Sequence, residues 1–293
     1  MEYILHLFIL ISFYTLLSQS LNLAAGYTGL ISLAQAGFYG IGAYTTAILS
    51  TQFGFAFWIN LPLAMLISGA IAFVVSLIAL RTVEDYFIIC TLGIQVVLFS
   101  VMNNWMELTR GPLGIPGIPS IHLFGLSLDS KIAFLILSLL LVALVWFILK
   151  NISKSGYGNT LRAISEEEIY SQSIGKNFYQ SKIISFTLCA AFASIPGALY
   201  AHYISYIDPT SFTVNESIYI LSIVIIGGLG NLKGSFFAAA FLVLLPEALR
   251  FVGMPDNIAA NLRQIIYGLI LVVIMMKGKI WLRELFTRQS KVD

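Results

Sequence analysis

Nine apolar runs, separated by polar segments, constrain this chain more than any other feature. They lie near residues 3–23, 28–50, 56–80, 86–103, 131–150, 183–203, 215–229, 233–252 and 258–276. A membrane-spanning helix needs about 20 apolar residues, so nine of them would use about 180 of the 293 residues. Only 10% of residues are charged and the mean hydropathy is +0.90, which leaves too little polar surface for a water-soluble fold. We therefore expect an all-α integral membrane protein, a polytopic helix bundle of about 8–10 spans.

Glycine clusters in two places. The second run begins with GYTGLISLAQAGFYGIGAY (26–44), where glycine weakens a helix and permits close helix packing. This pattern predicts a broken or re-entrant helix, and leaves open whether residues 28–50 cross the membrane once. The stretch IIGGLGNLKGSFF (225–237) predicts a glycine-rich hairpin between two apolar runs.

Basic residues predict the orientation. With the polar loop 151–182 placed in the cytoplasm, twelve of the 16 Lys and Arg residues fall on the inside, so the C-terminus is predicted to be cytoplasmic. The sidedness of the N-terminus stays open, because residues 1–80 contain neither Lys nor Arg. We expect one transmembrane domain over residues 1–276 and a basic cytoplasmic tail over 277–293. The tail is either an amphipathic surface helix or a stop-transfer charge cluster.

The loop 151–182 contains the pattern of a short capped helix. Ser165 and Glu168 form an S-x-x-E capping box, and Gly175 is placed as the C-terminal cap. The pattern predicts a helix over residues 166–174. A helix this short is marginal in water alone, so it is either a docking element for a partner or a solvated connector.

The sequence lacks the motifs that several classes of protein function require. The motifs HExxH, CxxC, GxSxG and GxxxxGK[ST] are absent, so no catalytic or metal site is predicted and any ATP must be bound by another subunit. A net charge of +2 argues against nucleic-acid binding. Acidic residues avoid the middle of the apolar runs, with Glu216 and Glu247 the nearest exceptions, which disfavours ion-coupled transport. Cys90 and Cys189 are expected to be small core residues.

The stretch RAISEEEIYSQSIGKN (162–177) resembles the cytoplasmic coupling motif of ABC importer permeases, in the form found in the branched-chain amino-acid permease family. Tyr170 and Ser171 stand where that motif has paired alanines. Further blocks similar to the family, closer to its M-type than its H-type subunit, lie at residues 21–49, 85–95, 109–119, 196–212 and 227–250.

The resemblance implies the permease fold of an ABC importer, in a bacterial or archaeal plasma membrane. It implies a second, H-type permease subunit, two ATPase subunits that hydrolyse the ATP, an extracytoplasmic solute-binding protein, and no cofactor in this chain. Branched-chain amino acids are the commonest substrates of the family, and relatives carry urea, amides or other amino acids. The alternative is a stand-alone channel or facilitator for small neutral solutes.

Two sets of site residues follow. For coupling to the ATPase they are Arg162, Ser165, Glu167, Glu168 and Gly175. For the substrate pathway they are Thr28, Ser32, Gln35, Tyr39, Tyr44 and Gln95, with Asn103 and Asn104 as weaker additions. Polar side chains in membrane spans also hydrogen-bond to neighbouring helices, so the second set has a purely structural alternative.

Overall fold

A computed structural model describes residues 2–82, 84–123, 126–127, 130–166 and 177–251. The α-helices in these ranges are α1 (Glu2–Thr28), α2 (Gln35–Gln52), α3 (Phe57–Ala79), α4 (Glu84–Asn104), α5 (Met106–Thr109), α6 (Lys131–Lys154), α7 (Gly156–Glu166), α8 (Phe178–Ile204), α9 (Val214–Gly227) and α10 (Leu232–Phe251). Short strands β1 (Ile115–Pro116) and β4 (Tyr206–Ile207) pair antiparallel, as do β2 (His122–Leu123) and β3 (Leu126–Ser127). Two 3₁₀ turns cover Gly111–Leu113 and Pro209–Phe212.

The helices follow the predicted apolar runs. Within the described ranges, five helices are long and apolar enough to cross a membrane: α1, α3, α4 from Tyr86, α6 and α8. Helix α9 has 14 residues and is shorter than a usual span. The run at 258–276 and the tail at 277–293 lie outside the described residues. The chain divides into two units, residues 1–240 and 241–293, and the described part of the second is the C-terminal half of α10.

Helices α2 and α8 form the centre of the first unit. Most side chains of α2 are buried, and α8 packs against α1, α2 and α3. Helices α3, α4 and α6 instead expose large apolar side chains, among them Leu66 (68% exposed), Ile89 (65%) and Ile136 (62%). A water-soluble protein rarely exposes so large an apolar surface, whereas lipid chains solvate it well. The arrangement is that of a multi-pass membrane protein with its polar side chains turned inward.

Glycine explains how closely α2 and α8 approach. A Cβ atom on Gly42 would collide with the backbone of Ser194, and one on Gly197 with the carbonyl oxygen of Tyr39. Neither helix can take a larger side chain at this crossing without moving apart. The glycines of the second apolar run therefore serve helix packing, as small residues do at membrane helix interfaces.

Two ends of the helix bundle are defined by contacts of α1. At one end, Lys131 forms a salt bridge with Glu2, with 2.9 Å between Nζ and Oε2. At the other, called the α7 end, Arg162 of α7 lies over the ring of Tyr27. Helix α3 also finishes at the α7 end, since the hydroxyl of Tyr179, at the start of α8, donates to the carbonyl of Leu77 at 2.9 Å. Lys131 and Arg162 thus lie at opposite ends of α1.

Candidate functional site

The predicted break in the second apolar run lies inside the helix bundle. Helix α1 ends at Thr28, residues 29–34 are not helical, and α2 begins at Gln35. Gly29 has a φ of 73°, a left-handed conformation that glycine adopts without strain. The first N–H groups of a helix have no partner within it, and inside a membrane they must find one among nearby side chains or backbone.

Side chains from α4 and α9 supply those partners. The amide of Ala36 donates to Ser217 Oγ at 2.9 Å, and the amide of Gly37 donates to Gln95 Oε1 at 2.6 Å. Ser217 Oγ donates in turn to Gln95 Oε1 at 3.3 Å, and Gln95 Nε2 donates to the carbonyl of Phe212 at 2.8 Å. Gln95 and Ser217 are fully buried. Gln95 therefore joins the start of α2 to the turn that precedes α9.

The polar residues in and beside the break are also hydrogen-bonded, some to other helices and some locally. Gln35 Nε2 donates to Ser20 Oγ at 2.7 Å, and the thiol of Cys189 donates to Gln35 Oε1 at 3.4 Å. Ser32 Oγ accepts from the amide of Ala34 at 3.2 Å, while the hydroxyl of Thr28 donates to the carbonyl of Ala24 in its own helix. Cys189 is 1% exposed, as expected of a core residue.

The two predicted pathway tyrosines pack against aromatic rings. The ring centroid of Tyr39 lies 5.0 Å from that of Phe212 and 5.7 Å from that of Tyr200, and Tyr44 lies 5.9 Å from Phe212. Within the described residues, the Tyr44 hydroxyl is buried without a hydrogen-bond partner. All six predicted pathway residues are thus buried, and four of them, Gln35, Tyr39, Tyr44 and Gln95, contact other segments of the bundle, whereas Ser32 bonds within the break. Thr28 bonds within α1.

A cleft on the surface lies beside this buried group. It has a volume of about 210 Å³ and is lined by Val96 and Phe99 of α4 with Thr213, Val214 and Asn215 at the start of α9. Asn104, one of the weaker sequence candidates, is exposed on α4 and donates to the carbonyl of Ser100 at 2.9 Å. Asn104 is therefore an exposed polar residue on α4, whose other exposed side chains are largely apolar.

The predicted coupling residues are described only in part. Arg162 and Ser165 lie in α7, whereas Glu167, Glu168 and Gly175 fall outside the described residues. The prediction that Ser165 caps a helix starting at 166 is wrong. Helix α7 begins at Gly156 and includes Ser165, whose hydroxyl donates back to the carbonyl of Arg162 at 2.8 Å. Ser165 continues the helix that residues 156–164 already form, whereas a capping box describes the first turn of a new helix.

At the α7 end, α1 holds the glycine turn, residues 228–231. The hydroxyl of Tyr27 donates to the carbonyl of Gly230 at 3.0 Å, and the amide of Gly230 donates to Asn22 Oδ1 at 2.7 Å. Asn22 Nδ2 donates to Ser235 Oγ at 2.9 Å. Sequence reasoning missed Asn22 and Tyr27. The available signal was a fully buried asparagine within an apolar run, since such a side chain needs partners from another helix.

Comparison with known proteins decides the family. The family described as branched-chain amino acid transport system, permease component, matches residues 3–275. The chain belongs to this permease family. The high-affinity branched-chain amino acid transport permease LivM of Salmonella typhimurium is 36% identical over 260 residues, and that of Escherichia coli 35% identical, each covering 81% of this chain and 61% of the relative. The chain thus spans about three-fifths of the length of these relatives.

More distant permeases also match. A probable LivH permease of Methanocaldococcus jannaschii is 23% identical and covers 89% of this chain and 84% of its own length. The guanosine ABC transporter permease NupQ of Bacillus subtilis is 25% identical and covers 73% of this chain and 71% of its own length. No solved structure matches the chain significantly.

Proposed function

We propose that this chain is a membrane-spanning subunit of a binding-protein-dependent ABC importer that carries branched-chain amino acids. It pairs with a second permease subunit, takes its solute from an extracytoplasmic binding protein, and is driven by two separate ATPase subunits. The observation that carries the proposal is the family match over residues 3–275, together with the names of the LivM relatives. The chain itself catalyses no reaction and needs no cofactor, and ATP is bound by the partner ATPases.

Coupling is assigned to the segment that begins in α7. Its exposed Arg162 and Ser165 are followed by Glu167, Glu168 and Gly175, and the segment docks in a groove of the ATPase on the cytoplasmic side. A movement of this segment during ATP binding shifts the helices to which α7 is joined, and opens the pathway alternately to the two sides. The C-terminus is cytoplasmic in this orientation.

The pathway wall is assigned to the cleft between α4 and α9. Its apolar side chains suit an aliphatic side chain, while Thr213 and Asn215 offer polar contacts for the charged ends of an amino acid. The second permease covers the open side of the cleft. Of the predicted pathway residues, Gln95 holds α4, one side of this wall, against the start of α2. Thr28, Ser32, Gln35, Tyr39 and Tyr44 are buried and stay a predicted pathway set.

The experiment is a reconstitution with two arms. In liposomes, ATP-driven uptake of radiolabelled leucine is expected only when both permeases, the ATPases and the binding protein are present, and excess unlabelled valine or isoleucine should compete. Uptake driven by a gradient through this chain alone would refute the importer and support the channel alternative. Competition by guanosine or urea, and none by valine, would refute the assigned substrate class.

A matched pair of variants tests the coupling segment. Glu168→Lys reverses a charge in the predicted docking segment, and Glu107→Lys makes the same change at an exposed residue of α5. We expect Glu168→Lys to insert normally but to lose leucine uptake, with Glu107→Lys near wild type. Equal leucine uptake by the two variants would refute a role of Glu168 in coupling to the ATPase.

A further inference from the structure

Three backbone segments meet without side chains between them at the α7 end. A Cβ atom on Gly26 would collide with the amide of Gly230, so α1 touches the glycine turn directly. A Cβ atom on Gly227 would lie 2.7 Å from the carbonyl carbon of Gly234, so the end of α9 and the start of α10 are in equally close contact. A turn packed this way cannot slide along α1 without separating from it, because no flexible side chain lies between the backbones.

Hydrogen bonds hold the turn in one place on α1. Gly230 is bound through both of its backbone polar groups, with Tyr27 donating to its carbonyl at 3.0 Å and Asn22 accepting from its amide at 2.7 Å. Asn22 is fully buried and Tyr27 is 4% exposed, so water competes little for these bonds. The glycine turn and this part of α1 are therefore expected to move as one body.

Tyr27 also touches α7. The guanidinium carbon of Arg162 lies 5.4 Å from the centroid of the Tyr27 ring, within the range of a cation–π contact. At the next turn of α7, Ser165 lies close to Gly29, directly after α1, since a Cβ atom on Gly29 would be 3.8 Å from Ser165 Cβ. One tyrosine thus contacts α7 through its ring and the glycine turn through its hydroxyl.

We propose that Tyr27 and Asn22 transmit a displacement of α7 to the glycine turn, and through the turn to α9 and α10. The inference rests on the proposed function, because the displacement is the one an ATPase imposes on the coupling segment. Tyr27 and Asn22 are positioning residues: they touch neither ATP nor the transported solute. α9 also supplies Val214 and Asn215 to the cleft, so one helix joins the glycine turn to the pathway wall.

The first test removes one hydroxyl in the complete transporter. Tyr27→Phe keeps the ring against Arg162 and removes the bond to Gly230. Tyr179→Phe is the matched control, because it removes an equivalent bond, at 2.9 Å to the carbonyl of Leu77, that involves neither α7 nor the turn. We expect Tyr27→Phe to hydrolyse ATP at the wild-type rate while leucine taken up per ATP falls about fivefold or more, and Tyr179→Phe to keep the wild-type ratio.

The second test measures the movement itself. Spin labels on Ala163→Cys in α7 and Leu229→Cys in the turn, both exposed positions, report the distance between the two segments. In the otherwise wild-type transporter this distance should stay constant when ATP binds, because the segments move together. With Tyr27→Phe added, it should change on ATP binding, because α7 moves and the turn does not follow.

The outcomes separate the two proposals. An unchanged uptake ratio and an unchanged label distance in Tyr27→Phe would overturn the transmission role, even where the wild-type importer works. An equal fall in leucine taken up per ATP in Tyr179→Phe would also overturn the transmission role, since the loss of any tyrosine hydrogen bond would then have the same effect. If wild type shows no ATP-dependent uptake with any partner set, the proposed function itself fails.

Discussion

Replacing Gln95 by leucine tests whether the helix break is held by side chains of α4 and α9. The change keeps the volume of the side chain and removes three hydrogen bonds, those with the amide of Gly37, the hydroxyl of Ser217 and the carbonyl of Phe212. Hydrogen bonds between membrane helices contribute about 0.6 kcal/mol on average and about 1.7 kcal/mol at most, so three give roughly 2–5 kcal/mol. The amide of Gly37 keeps a bond to the carbonyl of Ala34 at 3.1 Å, which favours the lower end, about 2 kcal/mol.

The assay is unfolding by sodium dodecyl sulfate in mixed micelles, followed by circular dichroism. Gln52→Leu is the matched control, because it makes the same replacement at an exposed glutamine near the end of α2 and is expected to be neutral. Ser217→Ala removes the partner of the Ala36 amide, and its effect should not add to that of Gln95→Leu, since the two side chains are bonded to each other. A loss below about 0.5 kcal/mol in Gln95→Leu, equal to that of Gln52→Leu, would refute the reasoning.

Two further predictions concern packing and ionisation. Gly197→Ala inserts a methyl group against the backbone of α2 and should cost about 1–3 kcal/mol, whereas Gly93→Ala, with open space around it, should not destabilise; equal unfolding midpoints would contradict this. Burial raises the pKa of the Tyr157 hydroxyl to about 12. The neutral hydroxyl therefore stabilises the fold fully below about pH 10, and this stabilisation is lost as the pH rises to 12. In Tyr157→Phe the free energy of unfolding should decline less steeply between these pH values than in wild type. Identical pH profiles of the two proteins would contradict the prediction.

The helices were predictable because the membrane imposes a simple rule on the sequence. Backbone polar groups in lipid must be paired within the segment, so a long apolar run has little choice but to be a helix. The break after Thr28 was predictable in part, because Gly29 weakens the helix there, whereas Gly37, Gly40 and Gly42 of the same run lie inside α2. Its exact limits were not, because they depend on Gln95 and Ser217, which are far away in sequence and meet α2 only in the folded chain.

The capping box illustrates the opposite case. Ser165 and Glu168 match the local capping pattern, which predicts a helix that starts after Ser165. In the structure, Ser165 already lies inside α7. Capping patterns describe how a helix starts when the preceding residues are not helical. Leu161 and Ile164 are buried, so packing of α7 against the bundle extends the helix through this position. Tertiary contacts override a signal that contributes only about 1 kcal/mol.

The break and the glycine turn have different consequences for movement. Around the break, the start of α2 is bonded to side chains of both α4 and α9, so these three segments resist separation at the centre of the bundle. The glycine turn is bonded instead to α1, through Asn22 and Tyr27. A force applied to α7 therefore reaches α9 most directly at its C-terminal end, through Tyr27, while Ser217 holds its N-terminal end. The expected motion of α9 is a tilt about Ser217 that is largest at the glycine turn and small at Asn215, so the hydrogen bonds that hold the break stay intact.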